Sequence, residues 1–464
     1  MQYMPATESM FLVAETRDQP MHVGGLQLFV PREGQTAAEL ADEFHAKLEA
    51  TTEIQDVFLK YPASPAAIAG YLAWQKADSI DFDYHVRRIA LPRPGEIKNL
   101  FRYVSLNHGT LLDRSKPMWE VHIIEGLADG RLALYTKIHH SVVDGVTAMR
   151  MLERSLTTDA DARDCTAFWD PELLRRRKPR SPKPEKSLFD KVTDTAGGAL
   201  RMADDIVGMV PAAAKVAASS VFDRDFVAPG GPVPSTPLNV PIGSARRFAA
   251  QDWTTDRLRA AAKRHGVTVN DVILAMCSGA LRTYLAEDLG DLPEDSLTAM
   301  VPVSMHDGTS DGNAVTVILV RLATDLPSPA DRLREISASA ASAKNVVRGL
   351  RPIQQLALGL ANIMPLAAST VPGAHRLAGL NFNLVISNVP GNRENLYWNG
   401  ARLDGCYPAS IPTDGQAMNI TMTTIGGKTG FGIVGARAQL PSVQRLLDYL
   451  EIALTELEEI EPLD

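Results

Sequence analysis

The chain has 464 residues, room for two or three domains at about 100–200 residues each. Hydrophobic residues make up 45% and charged residues 22%, proportions that exclude a mainly disordered chain. A net charge of −8 lacks the basic excess of a nucleic-acid binder, so no nucleic-acid partner is expected.

Residues 1–156 mix strand and helix signals. Residues 23–30, VGGLQLFV, read as a strand, and residues 37–48 have helical spacing. Residues 131–139, RLALYTKIH, read as a second strand by their apolar density. A helix over 145–156 follows, with Val146, Met149, Met151 and Leu152 on its apolar side. Residues 157–245 differ in composition. A Lys/Arg run from Arg175 to Lys186 leads into an Ala/Val/Met-rich segment, 188–222, and a Pro/Gly stretch over 228–243. The region is expected to be a linker with one or two amphipathic helices. From 246 to 464 the mixed pattern resumes. Helices are predicted over 254–264 and 268–285, and strands over 297–304, 315–322 and 384–387. A hairpin over 419–425 and 430–435 and a helix over 441–458 close the chain. The expected fold class is mixed α/β, with two domains, 1–156 and 246–464, bridged by the linker.

Cys165, Cys277 and Cys406 are odd in number, widely spaced and never CxxC. That argues against a disulfide framework and a cysteine zinc site, and fits a reducing compartment. Glu8 and Glu15 interrupt the first apolar run, which has no basic region before it, so no secretory signal is read. The longest stretch without charged side chains, 352–375, holds Asn362, Pro365 and Pro372 and is a poor membrane span.

The most specific feature is His139-His140-Ser141-Val142-Val143-Asp144-Gly145, an HHxxxDG sequence where a strand ends and a helix begins. Side chains alternate across a strand, so adjacent histidines face opposite ways and do not easily share a metal; no metal site is expected. One imidazole can then face a cleft as a general base, while the other faces the body of the domain. The bland alternative is two ordinary histidines at a strand end. Asp144 has its own bland reading as a helix N-cap, with Gly145 easing a tight turn. Thr268, Val269, Asn270 and Asp271 likewise read as an N-cap followed by an acidic third residue. Gly427-Lys428-Thr429 imitates the end of a phosphate loop, but Met422 stands where that loop needs glycine, so a hairpin turn is expected. Trp119 is expected in the core. His22, His45, His85, His108, His122, His265 and His375 are read as structural.

HHxxxDG resembles the motif of the CoA-dependent acyltransferase superfamily. More closely, the chain resembles the bacterial wax ester synthase/diacylglycerol acyltransferase family. The resemblance rests on five blocks in order around HHxxxDG. They are Pro20-Met21-His22-Val23-Gly24-Gly25, Pro117-Met118-Trp119-Glu120 with Ile123-Ile124-Glu125-Gly126-Leu127, Asn270-Asp271, Pro302-Val303-Ser304 with Gly312-Asn313, and Ser387-Asn388-Val389-Pro390-Gly391. His306 stands where Arg is expected, Asn392 where Pro commonly follows the glycine, and Gly435-Ala436 where an acidic residue is usual. These departures bear on substrate preference and turnover more than on reaction class.

The resemblance implies two chloramphenicol-acetyltransferase-like domains with the active site between them. It implies acyl transfer from long-chain acyl-CoA to diacylglycerol or a fatty alcohol by direct attack, without an acyl-enzyme. No cofactor is implied beyond acyl-CoA as co-substrate. His140, in HxxxDG register, would be the general base and His139 would orient or pack. Asp144 would act structurally, paired with an arginine. Asn270 and Ser304 are candidate oxyanion donors, and Asp271 belongs to the same candidate set. The implied location is cytoplasmic, in peripheral contact with the inner face of the cell membrane or with lipid droplets. The basic run beside an amphipathic segment could supply that contact. The rivals are a condensation-type or polyketide-associated acyltransferase and a degenerate lipid-binding relative without turnover.

Overall fold

A computed structural model describes residues 2–63, 73–175, 219, 223–304, 315–351, 354–355, 357–359, 361–362 and 380–463. The described chain forms two six-stranded mixed sheets and a small three-stranded sheet.

In the first sheet the strand order is Tyr397–Trp398, Ala401–Ala409, His22–Val30, Leu132–His139, Trp119–Glu125, Val86–Ala90. Leu132–His139 is central and every residue in it is buried. Its two sides enter different cores, which is why apolar residues do not alternate with polar ones over its first half, Leu132 to Tyr135. Leu132, Leu134 and Ile138 pack with Leu40, Ala41, Phe44 and Leu48 of helix Ala37–Ala50. That helix begins in a capping box between Thr36 and Glu39. Ala133 and Tyr135 pack instead with Leu100 and Val104 of helix Ile97–His108. Trp119 is fully buried, as expected, and its Nε1 donates to the Phe58 carbonyl at 2.8 Å.

The second sheet has the order Val315–Arg321, Thr298–Ser304, Leu384–Val389, Met418–Ile425, Lys428–Ala436, Arg246–Thr254. Helices Thr255–His265, Val269–Thr283, Pro329–Arg348 and Arg445–Glu459 share a large apolar core with it. The Gly426-Gly427 pair turns the hairpin between Met418–Ile425 and Lys428–Ala436, both glycines at positive φ. The phosphate-loop imitation is therefore a hairpin turn.

The sheets do not divide the chain at 245. Ala401–Ala409 leaves the second half and pairs antiparallel with His22–Val30 in the first sheet. It crosses Lys428–Ala436 at backbone contact. A Cβ on Gly430 would lie 2.2 Å from the Cys406 carbonyl oxygen, and one on Gly432 would lie 1.8 Å from that of Pro408. Glycine at both positions is what lets the two sheets interlock.

The stretch 228–243, expected as linker, is packed against the second half. Leu238 and Ile242 are buried there. The Leu238 carbonyl accepts from Ala417 N at 2.7 Å, and Asn239 Nδ2 donates to the Gly415 carbonyl at 2.9 Å. Apolar residues set among the prolines give this irregular segment a core contact that its composition alone conceals. Apart from Arg175 and Ser219, the basic run to Lys186 and the segment 188–222 lie outside the described residues, as do His306, Gly312, Asn313 and His375. No helix among the described residues is long and apolar enough to cross a membrane.

Candidate active site

Two neighbouring strands clamp the end of Leu132–His139. The Met118 carbonyl accepts from His139 N at 2.9 Å, and the Met21 carbonyl accepts from His140 N at 2.8 Å. Those residues belong to the PMWE and PMHVGG blocks, so two blocks that are far apart in sequence fix the backbone of the histidine pair.

The two imidazoles have different surroundings. His139 is fully buried. Its Nδ1 accepts from Ser141 N at 3.1 Å and lies 2.7 Å from Ser141 Oγ. Its Nε2 lies 3.3 Å from Glu15 Oε1, facing the carboxylate though not aligned as a hydrogen bond. Because Nδ1 receives an N–H, the ring proton sits on Nε2.

His140 keeps partial exposure. Phe11 of helix Ala6–Ala14 stacks on its ring at a centroid distance of 4.2 Å and an angle of 20°. Its Nδ1 is buried without a partner. No described residue bonds its Nε2. Burial pushes the His140 pKa down to about 4, against the upward pull of its own backbone carbonyl and Asp144, with His139 adding to the depression. The imidazole is therefore unprotonated near neutral pH, the form a general base needs.

Asp144 caps helix Gly145–Arg154. Its Oδ1 accepts from Thr147 N at 2.8 Å and its Oδ2 from Thr147 Oγ1 at 2.9 Å. The arginine partner implied by the resemblance is absent among the described residues: the carboxylate is exposed and spent on the cap. Gly145 does not sit at positive φ, and a Cβ there would meet nothing within 4 Å. The turn does not require glycine; the position opens onto free space beside the histidines.

The site helix is held to the second half at its far end. Glu153 Oε1 accepts from Asn392 N at 3.2 Å, and Met149 Sδ lies 3.8 Å from Cys406 Sγ. Proline at 392 could not make the first contact, so the departure there has a local consequence. Burial raises the Glu153 pKa above the ordinary carboxylate range, opposed by the Asn392 N–H and Arg150.

No hydrogen bond among the described residues joins Asn270 or Asp271 to His140. Asp271 is buried and closes a capping box with Thr268: Thr268 N donates to Oδ2 at 2.9 Å, and Asp271 N bonds Thr268 Oγ1 at 3.2 Å. A carboxylate so used cannot donate to an oxyanion. Asn270, next to it, is half-buried, and no described residue hydrogen-bonds its side chain. Ser304 ends strand Thr298–Ser304 opposite Val315; its side chain lies outside the described set. Among the described residues no three His, Cys, Asp or Glu side chains gather as a metal site.

Sequence reasoning missed Glu15. It follows helix Ala6–Ala14 and its side chain is 1% exposed. Oε1 accepts from Met21 N at 2.9 Å, and Oε2 accepts from Arg114 Nε at 3.0 Å and Nη2 at 2.8 Å. Burial alone would raise its pKa, but His139, the Met21 N–H and Arg114 together hold it down to about 2. A lone glutamate in an N-terminal apolar run carried no signal of this.

An unprotonated, partly exposed histidine thus stands at the end of the central strand in the first of two interlocked α/β sheets, in a form able to accept a proton. The model of the wax ester synthase/diacylglycerol acyltransferase catalytic domain matches residues 4–273, and that of the family's C-terminal domain matches residues 311–458. The chain belongs to this family and is an acyltransferase. A probable diacylglycerol O-acyltransferase, tgs2, of Mycobacterium tuberculosis is 44% identical over 462 residues, covering 99% of both chains. The O-acyltransferase WSD of Acinetobacter baylyi is 41% identical over 449 residues, covering 95% of this chain and 93% of its own. The solved wax ester synthase/diacylglycerol acyltransferase of Marinobacter aquaeolei VT8 superposes with a TM-score of 0.77 at 38% identity, covering 99% of both. The starter condensation domain of rhizomide synthetase shares the fold alone, with a TM-score of 0.53 at 12% identity.

Proposed function

We propose that the chain moves a long-chain acyl group from acyl-CoA to the hydroxyl of diacylglycerol, making triacylglycerol, or of a long-chain alcohol, making wax ester. The observation that carries the reading is His140, unprotonated, partly open and without a partner on Nε2 among the described residues. The family membership and the names of the relatives support the substrate class.

In this reading His140 Nε2 takes the acceptor's hydroxyl proton as that oxygen attacks the thioester carbonyl carbon. The C–O bond forms, the tetrahedral intermediate collapses and the C–S bond breaks. The CoA thiolate leaves with the proton that His140 received. Protons balance within one turnover, with acyl-CoA as co-substrate and no resident cofactor or acyl-enzyme.

Purified protein with acyl-CoA of several chain lengths, offered diacylglycerol or hexadecanol, tests the reading by thin-layer chromatography. Ester from either acceptor supports it, and thiol release without ester from either sinks it. Direct attack further predicts no burst of CoA when the acceptor is left out; a stoichiometric burst would show an acyl-enzyme.

Such acceptors are nearly insoluble, so the enzyme draws them from a bilayer or lipid droplet on the cytoplasmic side. Arg175, Arg176, Arg177, Lys178 and Arg180 attract anionic headgroups at about 1 kcal/mol each near the surface. The apolar residues of 188–222 then insert shallowly. Flotation with anionic vesicles should weaken at high salt. Equal binding to neutral and anionic vesicles would remove the basic run from the account.

A further inference from the structure

Glu15 holds three groups at once: the Met21 N–H and His139 Nε2 at Oε1, and the Arg114 guanidinium at Oε2. Two of these lead to the base. The Met21 residue that gives its N–H to Glu15 gives its carbonyl to His140 N. The His139 ring that faces Glu15 is the backbone neighbour of His140. A third link runs along the chain, because helix Ala6–Ala14, which ends at Glu15, carries Phe11 onto the face of the His140 ring. The peptide unit and the ring of His140 are thus both held by the segment from Phe11 to Met21, and Glu15 pins that segment to the strand.

We propose that Glu15 is a positioning residue for acyl transfer: its carboxylate orders His139 and Met21 and so fixes where His140 Nε2 points. This rests on the reading of His140 as the base. Arg114 shares the task. It donates both to Glu15 and, through Nη2 at 2.9 Å, to the Leu12 carbonyl, tying the carboxylate to the helix that carries Phe11. Glu15 touches no reacting atom. Its charge is present throughout the working pH range, so it acts by constant geometry rather than by titration.

The test uses the full chain with Glu15→Gln and Glu15→Asp. Glutamine keeps the shape and loses the charge; aspartate keeps the charge and withdraws it by one methylene. Glu15→Gln should lower kcat by roughly 10–100-fold, as expected for a small misplacement of a catalytic group. KM for acyl-CoA should change little. Glu15→Asp should recover part of kcat. A residue that merely holds the helix down would lower thermal stability and leave kcat per folded molecule unchanged, and that result overturns the proposal. ¹⁵N NMR of histidine-labelled protein supplies a second readout. His139 should keep its proton on Nε2 in both proteins, because Ser141 N still donates to Nδ1, but the Nε2–H resonance should move when the carboxylate it faces is made neutral; an unmoved resonance also overturns the proposal. The NMR arm needs no turnover, so a wild type that transfers no acyl group sinks the functional reading alone.

Discussion

His140 and His139 are neighbours with opposite chemistry. One is fully buried against Ser141 and Glu15, while the other keeps partial exposure under Phe11. A change at each should therefore fail differently. His140→Ala should cut acyl transfer by about 10²–10⁴-fold, the usual worth of a general base, with the fold intact by circular dichroism. His139→Ala opens a cavity beside a buried carboxylate and should lose stability along with rate. The pH dependence separates His140 from an ordinary histidine. Its pKa is pushed down to about 4, so the acid limb of kcat/KM should fall near pH 4 rather than near 6.5. A limb between pH 6 and 7 would mean that the base is solvated or is another group.

Helix Gly145–Arg154 carries the site from one half of the protein to the other, capped by Asp144 at its start and tied through Glu153 near its end. Asp144→Ala should cost about 0.5–2 kcal/mol of stability through the lost cap and lower the rate with it. An inactive variant with unchanged melting temperature would instead give Asp144 a direct role. The strand and helix that flank HHxxxDG were legible because their patterns are local: apolar density to His139, helical spacing after Gly145. The cap on Asp144 and the capping box at Asp271 follow simple side-chain rules and were also legible. Glu15, Met21, Met118 and Asn392 act on the site through backbone groups or from distant segments. No periodicity marks a carbonyl that will meet a histidine N–H more than a hundred residues away, so these contacts emerge only from the pairing of strands.

At the scale of the whole molecule, two sheets are locked by a strand exchanged from the second half into the first. The lock was invisible in the sequence because Ala401–Ala409, broken by Asp404, Gly405 and Pro408, carries no strand pattern and was not predicted as a strand; its pairing with His22–Val30 and the close approach of Gly430 and Gly432 to its backbone reveal it. Gly432→Ala should prevent the sheets from seating and give little folded protein, whereas Gly243→Ala, where φ is not positive and an added Cβ meets nothing within 4 Å, should fold. Buried histidines also make the molecule sensitive to acid. Burial lowers the pKa of His22, His85, His108, His122 and His140. The unfolded chain binds protons at these histidines below about pH 6.5 while the folded chain resists them, so stability should fall as pH drops from 6.5 toward 5. Urea midpoints that stay level over that window would contradict this. The central claim is that His140 is the base of an acyl transfer. Its most direct test is CoA thiol release and ester formation measured in parallel for the wild type and His140→Ala, with acyl-CoA and a diacylglycerol or long-chain alcohol. The account predicts equimolar thiol and ester from the wild type and a loss of both from a folded His140→Ala; a folded His140→Ala with near-native turnover would contradict it.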